Sequence, residues 1–265
     1  MISSTDLTYL RCNAFRLVIT LAAAFPSSMS AQVDVEALRR DDPPLGMSGT
    51  FGGDLALRTG NVELIQLGLN ARLYSVTESA TRLIVGNGGL GLLSGNRFSS
   101  SGLLHYRQTY AYNESFSPEW YGQLNYDRPQ LLNFRAVTGG GARTSFASGE
   151  WGQFGMGGAI MVEHERLNLP DTAVHDDQTT VVRGSYFLTL RVVPNDNLVI
   201  TSTTYLQPRV RDFNDIRMLA NLRVATSVTD ELDLTVSFDL RYDSKPPDGI
   251  SALDTRLRTG VRYAY

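Results

Sequence analysis

The sequence contains little cysteine, little histidine and no long apolar run. One cysteine and three histidines occur in 265 residues, which excludes a disulfide scaffold. Lys and Arg total 24 against 27 Asp and Glu, so no positive field favours a nucleic-acid partner. Mean hydropathy is -0.14, and after the amino-terminal segment no apolar run approaches the roughly 18 residues of a membrane-spanning helix. These totals resemble a soluble domain, but they also allow a transmembrane β-barrel, whose strands mix apolar and polar residues.

The amino terminus has the order of a secretory signal peptide. Two arginines precede the apolar stretch LVITLAAAF at 17–25, and small residues suited to cleavage follow. This stretch has about nine residues, which suits a signal peptide and is too short to cross a bilayer. We predict a signal peptide over 1–31 and a periplasmic lead-in over 32–46; the alternative is a helix that begins a cytosolic domain. Cys12 lies in the predicted leader, so the mature chain would contain no cysteine.

Apolar and polar residues alternate over long segments from residue 47 to the end. In LDTRLRTGVRYAY, residues 253–265, apolar residues and threonine occupy the odd positions, and the charged residues occupy even positions. This period of two predicts a β-strand. Its length exceeds the about five or six residues of an ordinary strand and covers the about nine to eleven of a tilted membrane strand. The same alternation recurs upstream, so each strand has an apolar face and a charged face.

The alternation predicts an all-β fold, a transmembrane antiparallel up-and-down β-barrel over 47–265. Its connections alternate between short turns and mostly longer loops, as in outer-membrane barrels, and an even strand count places both ends of the barrel on the periplasmic side. The twelve expected strands are 47–58, 62–74, 79–92, 98–112, 118–128, 131–146, 150–165, 178–193, 197–208, 213–228, 231–243 and 253–265.

Aromatic residues concentrate near the predicted strand ends, where outer-membrane barrels carry interfacial girdles. A soluble sandwich, propeller or lipocalin-like barrel is the alternative, but the strands are long for a sandwich. We therefore predict a protein of the Gram-negative outer membrane, surrounded by outer-membrane lipids. The aromatic residues are Tyr110, Tyr112, Trp120, Tyr126, Trp151, Phe213, Tyr242, Tyr263 and Tyr265.

The carboxyl-terminal strand carries a second targeting feature. In RTGVRYAY, Arg258 and Gly260 precede the aromatic residues Tyr263 and Tyr265, which close the chain. This pattern resembles the β-signal by which the barrel-assembly machinery recognises outer-membrane proteins. Recognition by strand addition to an exposed edge is physically reasonable. We expect this machinery to be a partner during insertion.

The closing hairpin also resembles that of a known family. Residues 234–265, which include YDSKPPDGISALDT, are similar to the salt-induced outer-membrane proteins, also called domain of unknown function 481. TGN at 59–61 resembles the first hairpin turn of that family, and TGGGARTSF at 138–146 its central glycine-rich strand. The loop at 168–177 matches no motif. Over 47–265 the resemblance implies a non-enzymatic envelope barrel, structural or related to salt stress, with no established catalytic residues.

Few residues are candidates for catalysis or metal binding. His105 faces the predicted interior, but no GxSxG motif occurs, so a lipid-modifying enzyme is the least favoured function. The EHE cluster at 163–165 contains metal-binding side chains, but in a strand His164 points away from the two glutamates. We expect a solvated strand end there. The glycines at 139–141 suit strand bending or close packing. We predict no catalytic residue, no metal and no cofactor.

Charged residues on the inward positions of the last strands predict a lumen charge network. A narrow lumen closed by salt bridges is favoured, and a small aqueous pore whose arginine excess prefers anions is the alternative. Twelve strands lie between the filled barrels of about eight and the open porins of about sixteen to eighteen, so the count does not decide. The predicted network consists of Arg217, Arg223, Asp233, Asp239, Arg241, Asp243, Asp254, Arg256, Arg258 and Arg262.

Overall fold

The computed structural model describes residues 18–21, 43–113, 116–149, 151–229 and 231–264, and in these ranges the chain is built from antiparallel strands. No helix in these ranges is long and apolar enough to cross a membrane. A short 3₁₀ turn occupies Arg128–Gln130. The strands are β1 Val18–Leu21, β2 Gly46–Arg58, β3 Leu64–Val76, β4 Ala80–Leu93, β5 Asn96–Tyr110, β6 Phe116–Asp127, β7 Leu132–Gly149, β8 Gly152–Leu167, β9 Gln178–Asn195, β10 Leu198–Arg209, β11 Asp212–Ser227, β12 Leu232–Asp243 and β13 Leu253–Ala264.

The long strands β2 to β13 form one up-and-down sheet in which each strand pairs with its neighbours in sequence. This confirms the prediction of twelve antiparallel strands. The strands have 12 to 18 residues, long enough for a tilted membrane strand of about nine to eleven. The largest boundary difference lies in β7, which extends to Gly149 because it continues to pair with β8 as far as Gly152.

Burial alternates along the strands as the sequence pattern predicts. On β5, His105 and Arg107 are 2% and 5% exposed, whereas Leu104, which precedes them on the opposite face, is 52% exposed. The convex surface of the curled sheet therefore carries apolar residues, and its concave interior holds the buried polar ones, the arrangement expected when the outer face meets lipid. All the predicted girdle aromatics of the described ranges are exposed, whereas Tyr265 lies outside those ranges.

The two ends of the sheet differ in their connections. The end with two long loops, 168–177 and 244–252, is called the loop end below, and the opposite end the turn end. The longest connection at the turn end is 111–115. The loop end also contains a tight turn, LSGNR at 93–97, because Ser94 and Gly95 both have positive φ values, 49° and 76°, as two-residue hairpin turns require.

The edge strands of the sheet are β2 and β1. β1 lies within the predicted signal peptide and pairs with β13, Val18 opposite Ala264. The sequence pattern did not predict this strand. No ladder joins β2 to β13 among the described residues, since β1 occupies the edge of β13 that would close a barrel. The cleavage of the leader stays a prediction, and most of the leader and of the lead-in lies outside the described residues.

Removing residues 1–31 is expected to let β2 pair with β13 and close the barrel. Each unpaired backbone group costs several kcal/mol in lipid, so two free edges are strongly unfavourable once β1 is gone. Closure is measured by comparing unheated and heated samples on an SDS gel, where a closed barrel migrates as a compact species until it is heated. The full chain is the control. Identical migration of the shortened chain before and after heating would contradict this expectation.

A closed interior as the candidate functional site

One fully buried carboxylate lies in the interior. Glu163 on β8 is 0% exposed and is held by arginines from three strands. The Arg183 Nε donates to Glu163 Oε1 over 3.1 Å and the Arg217 Nη1 to the same oxygen over 2.7 Å. Arg135 donates to Oε2. β7, β9 and β11 therefore converge on one side chain of β8.

The neighbouring acids extend this cluster. Glu165 accepts a two-pronged hydrogen bond from the Arg217 guanidinium, with both distances 2.9 Å. Arg183 also donates to Asp215 over 2.8 Å, and Arg217 to Asp243 over 2.8 Å. Buried charges are tolerated only where such partners replace water. We call this set the interior charge network: Arg135, Glu163, Glu165, Arg183, Asp215, Arg217 and Asp243.

Apolar side chains fill the interior beside the charge network. Tyr121, Val137 and Met161 form one buried cluster, and a second comprises Phe187, Tyr205 and Leu219. Glycines on neighbouring strands make room for the rings. A Cβ at Gly139 would lie 2.8 Å from the Tyr121 ring, and one at Gly157 would overlap Phe187. Aromatic rings laid over strand glycines are a common device in curved sheets.

The space left between the charges and the rings is small. A cavity of about 50 Å³ is lined by members of both groups, including Arg135, Tyr121 and Phe187. A single water needs about 10–15 Å³ of such space, so the cavity has room for a few water molecules. Side chains thus obstruct the interior at this level of the sheet.

Residues 50–265 match the family model described as Protein of unknown function, DUF481. The chain belongs to this family of outer-membrane β-barrels. No curated protein sequence is significantly similar to this chain.

Solved structures with a similar arrangement of strands are outer-membrane proteins. The NanC porin has 9% identity and a TM-score of 0.46, and the match covers 81% of this chain and 98% of that one. The translocator domain of the autotransporter NalP from Neisseria meningitidis has 15% identity and a TM-score of 0.39, covering 85% and 90%. The outer-membrane channel DcaP of Acinetobacter baumannii has 14% identity and a TM-score of 0.38, covering 82% and 71%.

The structure places two of the ten predicted lumen residues, Arg217 and Asp243, in the interior charge network. Others form a separate, more exposed set of pairs on the last strands: Arg258 donates to Asp239 over 2.9 Å, and Arg241 lies 3.6 Å from Asp254. The other four residues of the predicted network belong to neither set of ion pairs described here. Asp233 accepts from Ser227, Arg223 is exposed and Arg256 is half-buried, and the Arg262 side chain lies outside the described residues.

The expectation of a solvated strand end at 163–165 is wrong. Glu163 and Glu165 point inward with Met161, and both are buried in the interior charge network. His164 points outward and contacts Thr180, so the prediction that it diverges from the glutamates is confirmed. Sequence reasoning also missed three further members: Arg135, Arg183 and Asp215. Their inward parity on β7, β9 and β11 is the signal in the sequence, whereas the predicted network covers only the last strands.

His105 has an environment suited to packing. Its Nδ1 lies 3.2 Å from Gln123 Oε1, and its ring stacks on Tyr121 at 6.0 Å between centroids. Arg107 and Glu119 form an ion pair of 3.6 Å nearby. In the described ranges, no group of three or more His, Cys, Asp or Glu side chains could hold a metal ion.

The predicted assembly signal lies on β13 at the turn end. Tyr263 is 51% exposed on the convex face, and Gly260 has nothing within 4 Å of a Cβ position. Arg258 makes the ion pair with Asp239 given above, whereas Tyr265 lies outside the described residues. Recognition by the assembly machinery stays a prediction.

The two long loops of the loop end are joined by one carboxylate. Asp248 of loop 244–252 accepts hydrogen bonds from the backbone amides of His175 and Val174, over 2.7 and 2.9 Å. The His175 amide is the main cause that lowers the pKa of Asp248 below its ordinary value of 3.8. In the same loop, Lys245 pairs with Asp212 over 2.6 Å. The loops are therefore held together over this end of the interior.

The contact between these loops is expected to weaken in acid. Because the pKa of Asp248 is lowered by folding, the contact contributes fully above the ordinary carboxyl range and is lost as the pH falls through the lowered pKa. Hydrogen-exchange protection of the Val174 and His175 amides, compared at about pH 6 and about pH 2, measures this loss. In Asp248→Asn, protection should show no such pH dependence. Equal protection of the wild type at both pH values would contradict the assignment.

Proposed function

We propose that this protein is a non-enzymatic, structural barrel of the outer membrane whose interior is closed to solutes. The observation that carries the proposal is the filling of the interior. Glu163 and its three arginines are all under 10% exposed, and the aromatic clusters leave a cavity of only about 50 Å³ beside them. A conducting pore needs a continuous aqueous path lined by polar groups.

Conductance in planar lipid bilayers tests this proposal. Protein without residues 1–31 is refolded, its folded state is checked on an unheated gel, and it is then added to the bilayer. We expect no steady single-channel current, because the network charges satisfy one another and leave no free path. Steady conductance from a correctly folded sample would overturn the closed interior. Anion-selective current would support the alternative of a narrow channel.

Widening the interior supplies a positive control for the same experiment. Phe187→Ala and Tyr205→Ala remove adjacent rings of one cluster, whose centroids are 5.5 Å apart. The double variant enlarges the cavity and is expected to produce more current than the wild type. Equal current from both proteins would show that these rings do not obstruct the path.

A link to salt stress rests on the family resemblance. A strain without this protein is expected to grow normally in low salt and to lose envelope integrity in high salt, measured as leakage of a periplasmic enzyme. Complementation with the wild-type gene is the control. Equal leakage with and without the gene would remove the stress-related role and leave the structural one.

An enzymatic function receives no support from the geometry of His105. A lipid-modifying barrel would need a serine activated by histidine at the lipid-facing surface. His105 instead faces inward, with only 2% of its area exposed. Hydrolysis of phospholipid vesicles by purified protein is therefore expected to stay at the background rate, and hydrolysis that is lost in His105→Ala would contradict this.

A further inference from the structure

A groove crosses the convex, apolar face of the sheet near the loop end. Its volume is about 560 Å³, and it spans β3 to β7. Leucines of the outward positions form its walls, with Leu104 and Leu124 52% and 48% exposed. We call this feature the lateral groove, defined by Leu67, Leu69, Gly88, Leu104, Leu124 and Phe134.

The groove exists because one outward position of β4 carries no side chain. Gly88 lies on the convex face between the outward Leu69 of β3 and Gly102 of β5. A Cβ built at Gly88 meets nothing within 4 Å. At Gly102, by contrast, the Tyr126 ring lies over the backbone, 2.5 Å from the Cβ position. Open space therefore remains at Gly88, bordered by apolar side chains.

Three exposed arginines lie near the lateral groove, at the loop end of the sheet. Arg166 is the register partner of the groove residue Phe134, so both side chains point outward next to each other. Arg97 is the register partner of Leu92, directly above the groove on β5. Arg128 follows the end of β6. None of the three forms an ion pair with a residue in the described ranges.

The lateral groove and the guanidinium groups beside it match one chemical class of ligand. Guanidinium groups bind phosphate through paired, charge-assisted hydrogen bonds, and the apolar groove excludes a free phosphate ion from its interior. A molecule with a phosphate head and acyl chains satisfies both parts at once. In a bilayer, the arginines would lie at the headgroup level and the groove among the chains.

We propose that the lateral groove binds a phosphorylated lipid of the outer leaflet, with an acyl chain over Gly88 and a phosphate at Arg97, Arg128 and Arg166. The proposal depends on the outer-membrane location and on the loop end facing outward. It is independent of whether the interior conducts. A second copy of the chain seated in the groove is the competing occupant.

Two matched pairs of variants test the site. Gly88→Leu fills the groove, and Gly86→Leu is its control because Gly86 lies two residues away on the same face, also with nothing within 4 Å of its Cβ position. Arg166→Gln removes one guanidinium of the site. Its control is Arg82→Gln, an exposed, outward arginine at the turn end of β4. Each variant is first shown to be folded on an unheated gel.

Binding is measured by native mass spectrometry of the barrel in detergent, with bisphosphorylated lipid A as the probe and the dephosphorylated lipid as comparison. We expect Gly88→Leu and Arg166→Gln each to bind lipid A about tenfold more weakly, while the two controls bind as the wild type does. The dephosphorylated lipid should bind wild type and Arg166→Gln equally.

Several results would overturn the proposal. These are equal binding by Gly88→Leu and Gly86→Leu, equal binding by Arg166→Gln and Arg82→Gln, or binding of inorganic phosphate alone with the same affinity. Wild-type dimers that disappear in Gly88→Leu would identify a second copy as the occupant. The conductance experiment tests whether the interior is closed, and its result does not affect the lipid-binding measurements.

Discussion

Glu163→Gln is expected to lower the free energy of unfolding by about 3–5 kcal/mol, because removing one partner leaves buried charge unpaired. Glu163 accepts from three arginines and is fully buried, so its carboxylate is the common acceptor of Arg135, Arg183 and Arg217. A neutral amide at position 163 leaves the buried arginines with an excess of positive charge that water does not solvate. Urea unfolding of the barrel in lipid vesicles, followed by the fluorescence of its two tryptophans, measures the change.

A matched control separates burial from charge. Glu78→Gln makes the same chemical change in the exposed turn between β3 and β4, where an effect within about 0.5 kcal/mol is expected. Arg135→Gln combined with Glu163→Gln should cost less than the sum of the two single variants, since removing both partners leaves less unpaired charge. Additive costs, or a Glu163→Gln as stable as wild type, would show that the network does not stabilise the barrel.

The second large effect is expected at Gly141, where β7 and β8 approach closely. A Cβ there would lie 2.5 Å from the Ala159 Cα and would overlap the carbonyl oxygen of Gly158. Both are backbone atoms, which cannot move aside as a flexible side chain can. Gly141→Ala is therefore expected to cost about 1–3 kcal/mol through overpacking. The same unfolding measurement applies.

The adjacent glycine provides the control for this effect. At Gly140, which points to the other face, the nearest atom to a Cβ is the Glu119 carbonyl oxygen at 3.7 Å, an ordinary contact. Gly140→Ala should leave stability nearly unchanged. Equal losses in both variants would mean that backbone flexibility, and not the close approach to β8, determines the requirement for glycine. Gly141 belongs to a run of glycines that suits strand bending or close packing, and its contacts with β8 show where the packing is close.

The strands and their inward and outward faces could be predicted because alternation is a local property of the chain. Each residue lies on a face set by its parity, so the prediction that His105 faces the interior is confirmed. The same rule placed His164 opposite to its glutamate neighbours. Parity does not say how deep in the sheet a position lies, which is why Glu163 and Glu165 were expected in solvent.

Partner choice within the interior could not be predicted from the alternating pattern. Arg217 of β11 reaches Glu163 of β8, three strands away, because curling of the sheet brings their inward side chains together. The strand registers and the curvature of the sheet decide which inward side chains come into contact. Both depend on the pairing of every strand that lies between the two residues. For the same reason, the pairs on β12 and β13, such as Arg258 with Asp239, have no ion pair with Glu163.

The sequence by itself determined an antiparallel membrane sheet with an apolar outer face. A period of two places alternate side chains on opposite faces of a strand, however the sheet curves. Only the tertiary structure decided that the interior is filled, and by which groups. Closure of the interior depends on three arginines meeting one glutamate and on rings lying over glycines of the next strand. These contacts arise from the curvature that brings distant strands together.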